Sequence, residues 1–373
     1  MAARSGVTRR EILTGAAGAA AAASLGGFAS CFPGVGGKWP DGGPDAPSEA
    51  DAAPAPACEP LDAGIEDQPT PVEGISTVVD VQRDDSLLQV ETDSGKKLEV
   101  QAAVVQAMID TALAALAGGA DNPWPLLLPG YAPGMRIGLK VNCLNPKLPT
   151  SPAVVRAVIA SLVGKLGVAP SAIVVWDRRL DELKNAGKYT EKDLQGAQLL
   201  GTVNSTSDSS GPGYTAPCRS VEGVAPRVSR ILTELTDLTI NLPVLKSHGV
   251  SGVTGALKNI YGVIDNPADY HKNLPTAMPV LYRLPPIYRS FKLTIVDALQ
   301  AVTLKDTQDP PDATPKRIFA ATDPLALDRY ALDLVNQLRA TRSAKPLSGP
   351  LLGWLDRGYE LGLGTKTYNL VTL

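Results

Sequence analysis

The stretch DLTINLPVLKSHGVSGVTGALKNIYGVIDNPADYH, Asp237 to His271, decides the reading of the chain and holds its only two histidines, His248 and His271. An apolar run (Leu238, Ile240, Leu242, Val244) stops at Lys246 and gives way to a turn dense in Gly, Ser and Thr. Helical spacing resumes from Thr254 to Tyr261. A strand feeding a helix through such a turn leaves backbone N–H groups unpaired at the helix N-terminus, where the dipole favours negative charge. Lys246 and Lys258 bracket the turn, so the segment is expected to bind a small anionic group, with His248 beside it as acid or base. The plainer alternative is a tight turn that needs its glycines for backbone geometry.

Working outward, the flanking runs read as buried strands and amphipathic helices. Arg136–Asn142 (RIGLKVN), Ala172–Trp176 (AIVVW), Lys292–Val296 (KLTIV) and the short Ile318–Ala321 are continuous apolar strands. Helices are expected from Val105 to Leu116, stopped by Gly118-Gly119; from Ser151-Pro152 to Gly167; from Arg227 to Leu235; and from Asp323-Pro324 to Arg339. Residues 75 to 100 read as a small hairpin of Val78–Val81 and Leu87–Val90 with a turn at Asp93-Ser94-Gly95. The alternation predicts an α/β fold: a mostly parallel sheet with helices on both faces and a small N-terminal β element. Residues 203 to 217 read as a polar surface loop.

Polar residues recur where the predicted strands end. Lys140, Asn142, Asp177, Lys246, His248, Asp297 and Asp323 each fall at or just past a C-terminal strand end, the edge where open parallel sheets bind ligands. Asp323 also reads as a plain helix cap. The candidate site is therefore His248, Lys258 and Asp177 for catalysis, with Lys140, Asn142, Lys246, Ser251, Thr254, Asn259 and Asp297 for ligand binding. Asp177 or Asp297 is expected to orient His248 or bind a metal. A divalent metal is allowed, with His271 as its ligand, but no HxH or HExxH pair supports it.

Cys143, beside Asn142, has three readings: a nucleophile with His248 in reach, a disulfide with Cys218, or a buried thiol. The stretch holding Tyr270, Tyr282, Arg283, Tyr288 and Arg289 is punctuated by Pro275, Pro279, Pro285 and Pro286. It is expected to lack long regular structure and either to cover the site, offering an arginine to an anion, or to cross the surface with its tyrosines packed.

Composition narrows the function classes. The net charge is −3, and no basic stripe offers a nucleic-acid footprint. Four cysteines (Cys31, Cys58, Cys143, Cys218) without CxxC spacing argue against a zinc ribbon and an iron–sulfur cluster. No Walker A pattern or dinucleotide fingerprint occurs, which disfavours ATP and NAD.

The first 30 residues read as an address. Thr8-Arg9-Arg10-Glu11-Ile12-Leu13 precedes a weakly apolar Ala/Gly run ending at Phe28-Ala29-Ser30-Cys31, the pattern of a twin-arginine signal peptide. Cys31 resembles the acylated cysteine of bacterial lipoproteins, which would make it the one membrane anchor; cleavage to a soluble periplasmic protein is the alternative. Either way the protein is expected to meet the twin-arginine export machinery and to leave the cytoplasm. Residues 31–72, rich in Pro, Ala, Gly and Asp, read as a disordered tether, and 73–373 as the folded domain.

The motifs RIGLKVN from Arg136, TSPAVVRAVI from Thr150, IVVWDR from Ile173, NLPVLKSHGVSGVTGALKNIYG from Asn241, TIVDAL from Thr294 and ATDPLALD from Ala321 resemble domain-of-unknown-function family 362 in its exported bacterial branch. The resemblance spans about Val104 to Asp328. Some members carry ferredoxin-like cysteine clusters, and this chain has none. A more remote resemblance links His248, Lys258 ten residues on and His271 thirteen further to the nickel-pincer lactate racemase family. That resemblance implies a histidine acting on substrate, a lysine holding the pincer and a histidine on nickel. Those racemases use a further catalytic histidine, for which this chain has no counterpart. Two functions follow: an enzyme acting on a small carboxylate or phosphate compound with His-assisted proton transfer, or a non-catalytic envelope binding or assembly protein with the same anion site.

Overall fold

Apolar strand residues point alternately to two different cores, and this alternation sets the layers of the molecule. Val174 and Trp176 join one buried cluster and Val175 the other; Val78 and Val79, and Val296 and Ile295, divide in the same way. A sheet buried on both faces explains the continuous apolar runs read from the sequence. The computed structural model describes residues 70–93 and 95–373. The expected signal peptide, Cys31 and nearly all of the tether lie outside them.

In chain order the strands are β1 (Ser76–Gln82), β2 (Leu87–Thr92), β3 (Gly95–Val100), β4 (Ile137–Lys140), β5 (Ile173–Arg179), β6 (Gln198–Val203), β7 (Leu238–Asn241), β8 (Val244–His248), β9 (Gly252–Thr254), β10 (Phe291–Val302), β11 (Arg317–Ala321) and β12 (Tyr368–Thr372). The main sheet runs β12-β1-β11-β10-β7-β4-β5-β6, with β8 pairing β10 and β9. From β10 through β7, β4, β5 and β6 every pairing is parallel. Antiparallel pairing enters through β11, which lies between β10 and β1, and through the β8–β9 hairpin. The fold is α/β with a mostly parallel sheet flanked by helices, as the sequence implied.

On one face lie α1 (Ala102–Leu116), α2 (Trp124–Leu127) and α3 (Pro152–Ser161), with the short α4 (Leu180–Glu182) and α5 (Glu191–Leu194) nearby. On the other lie α6 (Ala256–Asn259), α7 (Leu274–Tyr282), α8 (Pro285–Ser290), α9 (Pro324–Ala340) and α10 (Gly353–Glu360). Local chemistry starts the longer ones as expected. Ser151 accepts a hydrogen bond from the Ala153 N–H ahead of Pro152, and Asp323 accepts from the N–H groups of Leu325 and Ala326. Val105, Met108, Ile109, Ala112 and Leu113 bury the predicted face of α1. The Val, Leu, Ile and Met side chains among them, fully buried, contribute about 1.5–3 kcal/mol each.

Several expectations are corrected. The N-terminal hairpin is β2 with β3; the Val78–Val81 run instead enters the main sheet between β11 and β12. The apolar run from Leu238 is broken at Leu242-Pro243, where proline supplies no donor, so it forms two strands. The turn after Lys246 does not feed a helix; it closes the β8–β9 hairpin, and α6 begins only at Ala256. The helix expected from Arg227 is a single wide turn, Ile231–Leu235. Asp297 does not end its strand, because β10 runs on to Val302. The proline-punctuated stretch is largely helical: prolines open α7 and α8, and Pro279 sits inside α7. Tyr270 and Tyr282 are buried there, and Arg283 stacks on the Tyr288 ring at 4.2 Å.

Candidate functional site

The parallel register places the ends of β4, β5 and β7 side by side, with Lys140 opposite both Trp176 and Asn241. Lys140 is wholly buried, and its Nζ meets Asp177 Oδ1 at 2.7 Å and the Val141 carbonyl at 2.7 Å. The Asp177 carboxylate is used up locally: Oδ1 also accepts from the Arg178 N–H, and Oδ2 accepts from the Cys143 N–H at 2.8 Å. Gly262 closes over this pair, since a Cβ there would stand 2.7 Å from both Asp177 Oδ1 and Lys140 Nζ. Asp177 therefore holds Lys140 and does not orient His248.

A second buried lysine stands in a different environment. Lys246 is 3 % exposed, and its Nζ donates to Asn142 Oδ1 at 2.8 Å. Behind that amide runs a chain of amides. Asn142 Nδ2 donates to Asn259 Oδ1 at 3.0 Å, Asn259 Nδ2 to Asn241 Oδ1 at 2.7 Å, and Asn241 Nδ2 to the Ala256 carbonyl at 3.1 Å. These partners are neutral, and Lys246 forms no ion pair among the described residues. Burial pushes its amine down to about 8, against the nearby Cys143, Asp177 and Asp297, whose charges act the other way.

Hairpin register decides what accompanies Lys246. Lys246 pairs with Thr254 and His248 with Gly252, so Lys246, His248 and Thr254 share one face, while Ser247 and Val253 take the other. Thr254 Oγ1 bonds the carbonyls of Val244 and Lys246, and so ties the hairpin to itself. His248 Nδ1 accepts from the backbone N–H groups of Val250 and Ser251, both at 3.1 Å. The ring proton therefore sits on Nε2, which makes the imidazole a donor on its free side. Burial, then the charges of Lys258 and His271, push His248 down to about 2. It stays neutral and has no free lone pair with which to take up a proton.

The His–Lys–His order does assemble in space. The rings of His248 and His271 lie 5.9 Å apart, and His271 meets Tyr261 edge-on at 5.6 Å. Lys258 Nζ lies 3.6 Å from the Tyr261 ring centroid. His271 Nδ1 bonds the Pro267 carbonyl at 2.9 Å, and burial, then Lys258, lower its pKa to about 4. A racemase-like role for His248 does not fit this arrangement, because such a role needs an imidazole that can cycle a proton. Among the described residues no group of three or more His, Cys, Asp or Glu is placed to hold a metal ion.

Other candidates are engaged by hydrogen bonds within the fold. Asp297 accepts from the Ser151 and Leu299 N–H groups and is raised to about 6 by burial, against those bonds. Ser251 is fully buried, its hydroxyl on the Val253 carbonyl and its own carbonyl on Trp354 Nε1. Cys143 is a free buried thiol, Sγ 3.4 Å from the Tyr189 hydroxyl; burial raises its pKa far above the ordinary thiol range. Cys218 is disulfide-bonded, so the two are not joined to each other, and Cys143 is no activated nucleophile.

Sequence reading missed Asp328, which overturns the expected anion pocket at the helix N-terminus. From α9, Asp328 reaches the start of α6 and accepts from the Ala256 N–H at 2.5 Å and the Leu257 N–H at 2.9 Å. The chain thus fills that site with its own carboxylate. Gly255 is required there, since a Cβ would stand 2.0 Å from Asp328 Oδ1. The signal was a charge on the apolar face of a helix, in line with Leu325 and Leu332. Asn241, a polar residue in an apolar strand, was missed likewise. Tyr261 was missed as well; its buried hydroxyl has no hydrogen-bond partner among the described residues.

The family profile described as "Domain of unknown function (DUF362)" matches residues 137–333. The chain belongs to DUF362. The matched span of this DUF362 protein contains every residue of the cluster from Lys140 to His271, and its bounds lie inside or close to those expected from the motifs. Among solved structures it is similar to the crystal structure of a Thermotoga maritima protein, a Northeast Structural Genomics Consortium target, at 10% identity and a TM-score of 0.39. That match covers 68% of this chain and 60% of the other, so the chain spans less than two thirds of that protein's length. No curated protein matches.

Proposed function

We propose that this DUF362 protein is exported through the twin-arginine route and binds a small carboxylate or phosphate compound on the Lys246–His248–Thr254 face of the hairpin. One observation carries the reading: the carboxylates around the site are satisfied internally, while the donors facing it are not. Asp177 is taken by Lys140 and two amides, Asp297 by two amides and Asp328 by two more. Lys246 meets only an amide, and His248 presents an N–H. A buried donor set with excess positive charge is stabilised by an anion. The geometry favours binding over His-assisted proton transfer, because His248 can donate a hydrogen bond but cannot act as a base.

Thermal denaturation of the purified protein against phosphate and small carboxylates tests the site, since a ligand bound only by the folded state raises its stability. Lys258→Ala should weaken the responsive anion by about 1.5–3 kcal/mol, the usual worth of a charge-assisted contact, and leave the fold intact. If no anion stabilises the parent and the variant unfolds, the segment is structural. Export is checked separately. Replacing Arg9 and Arg10 together by Lys should strand the precursor in the cytoplasm, and normal processing of that double variant would refute the twin-arginine route.

A further inference from the structure

Resting on the anion-site reading, we propose that Lys246 is an amine nucleophile that condenses with the carbonyl of a small oxo acid held on the same hairpin face. The proposal starts from position. Lys246 lies on the face of β8 that also carries His248 and Thr254, and its nitrogen is held 2.8 Å from Asn142 Oδ1. Lys246 itself is buried, and Asn142 and Thr254, which cover it, are half-buried, so a ligand would meet the amine by displacing the Asn142 side chain. The other lysine of this sheet edge, Lys140, is locked as an ammonium against Asp177 under the Gly262 lid and cannot serve.

Chemistry agrees with position. An ammonium is not nucleophilic, so a capturing lysine needs a site that favours its neutral form. Burial provides this, and the groups whose charge opposes it, Cys143, Asp177 and Asp297, leave the amine at about 8. At pH 7 the neutral fraction is then on the order of a hundredfold above that of an exposed lysine. Asn142 Oδ1 accepts one N–H and so aims the nitrogen without supplying a charge that would fix the proton on it. His248, on the same hairpin face, presents an N–H that suits an oxygen of the ligand.

The step balances without an oxidant. The Nζ lone pair attacks the carbonyl carbon, and the C=O bond breaks as C=N forms. The two amine protons leave with the carbonyl oxygen as water. Cyanoborohydride can then trap the product: its hydride adds to the imine carbon, and a solvent proton adds to nitrogen.

The test uses the full chain with pyruvate as probe and cyanoborohydride at neutral pH, followed by intact mass and peptide mapping. The expected result is one adduct whose mass equals the probe less one oxygen, on the peptide bearing Lys246. It should form on the order of a hundredfold faster than labelling of the average exposed lysine. Phosphate should slow it, and Lys246→Arg should abolish it while the variant stays folded by thermal denaturation. Anion stabilisation without a Lys246 adduct overturns the imine and leaves the anion site standing. Labelling spread evenly over surface lysines also overturns it. Neither stabilisation nor adduct overturns both readings.

Discussion

Two buried lysines, Lys140 at the end of β4 and Lys246 within β8, are equally out of reach of bulk water and yet differently provided for. Lys140 has a carboxylate at 2.7 Å whose remaining lone pairs are filled by amides, a closed arrangement. Lys246 has one amide oxygen at 2.8 Å, at the end of a neutral amide chain that comes to the surface through a half-buried Asn142. The difference teaches that burial of a charged group does not by itself assign it to structure or to function. What decides is whether the fold also supplies its counter-charge. Where it does, breaking the pair leaves an uncompensated ion; where it does not, the unmatched group is held ready for something from outside.

The largest expected effect tests the closed half. Lys140→Met leaves Asp177 buried with amide donors only and should cost about 3–5 kcal/mol in a urea titration. A cost below about 1 kcal/mol would mean that the two lysines are not different in kind. A smaller effect sharpens the open half. The folded-state amine of Lys246 lies near 8 against its ordinary 10.5, so between those values the unfolded chain binds a proton there that the folded chain does not. Stability contributed by this residue should therefore rise with pH across that window, by up to about 1.4 kcal/mol per unit, and be constant outside it. The stability difference between the parent and Lys246→Met, followed from pH 7 upward, isolates the effect; a flat difference would show that Lys246 keeps its proton.

Much of this contrast was legible in the sequence, and its limits have physical causes. Continuous apolar runs separated by capped helices announced a sheet covered on both faces, because strands without a wet face have no alternation to show. Polar residues at the run ends picked out two pairs that do form, Lys140 with Asp177 and Lys246 with Asn142. Pairings set by tertiary contact were not legible. Asp328 comes from a helix far along the chain to cap α6, and no local pattern around Ala256 requires it. The hairpin was mistaken for a strand-to-helix turn because three-residue β9 is too short to show a period, and Pro243 hid the true start of β8. Asp297 looked like a strand end because charge usually ends an apolar run; here two backbone amides make a mid-strand carboxylate tolerable.

The central claim is that Lys246 awaits a counter-charge from outside the chain, and one comparison tests it most directly. Stability of the parent and of Lys246→Met is measured near pH 7, without and with a saturating anion from the thermal panel. Without anion the variant should match the parent within about 1 kcal/mol or exceed it, because methionine preserves the stem and removes a buried charge that lacks an ionic partner. With anion the parent should overtake the variant. A parent that is more stable by about 3 kcal/mol under both conditions would contradict the account and make Lys246 a structural group like Lys140.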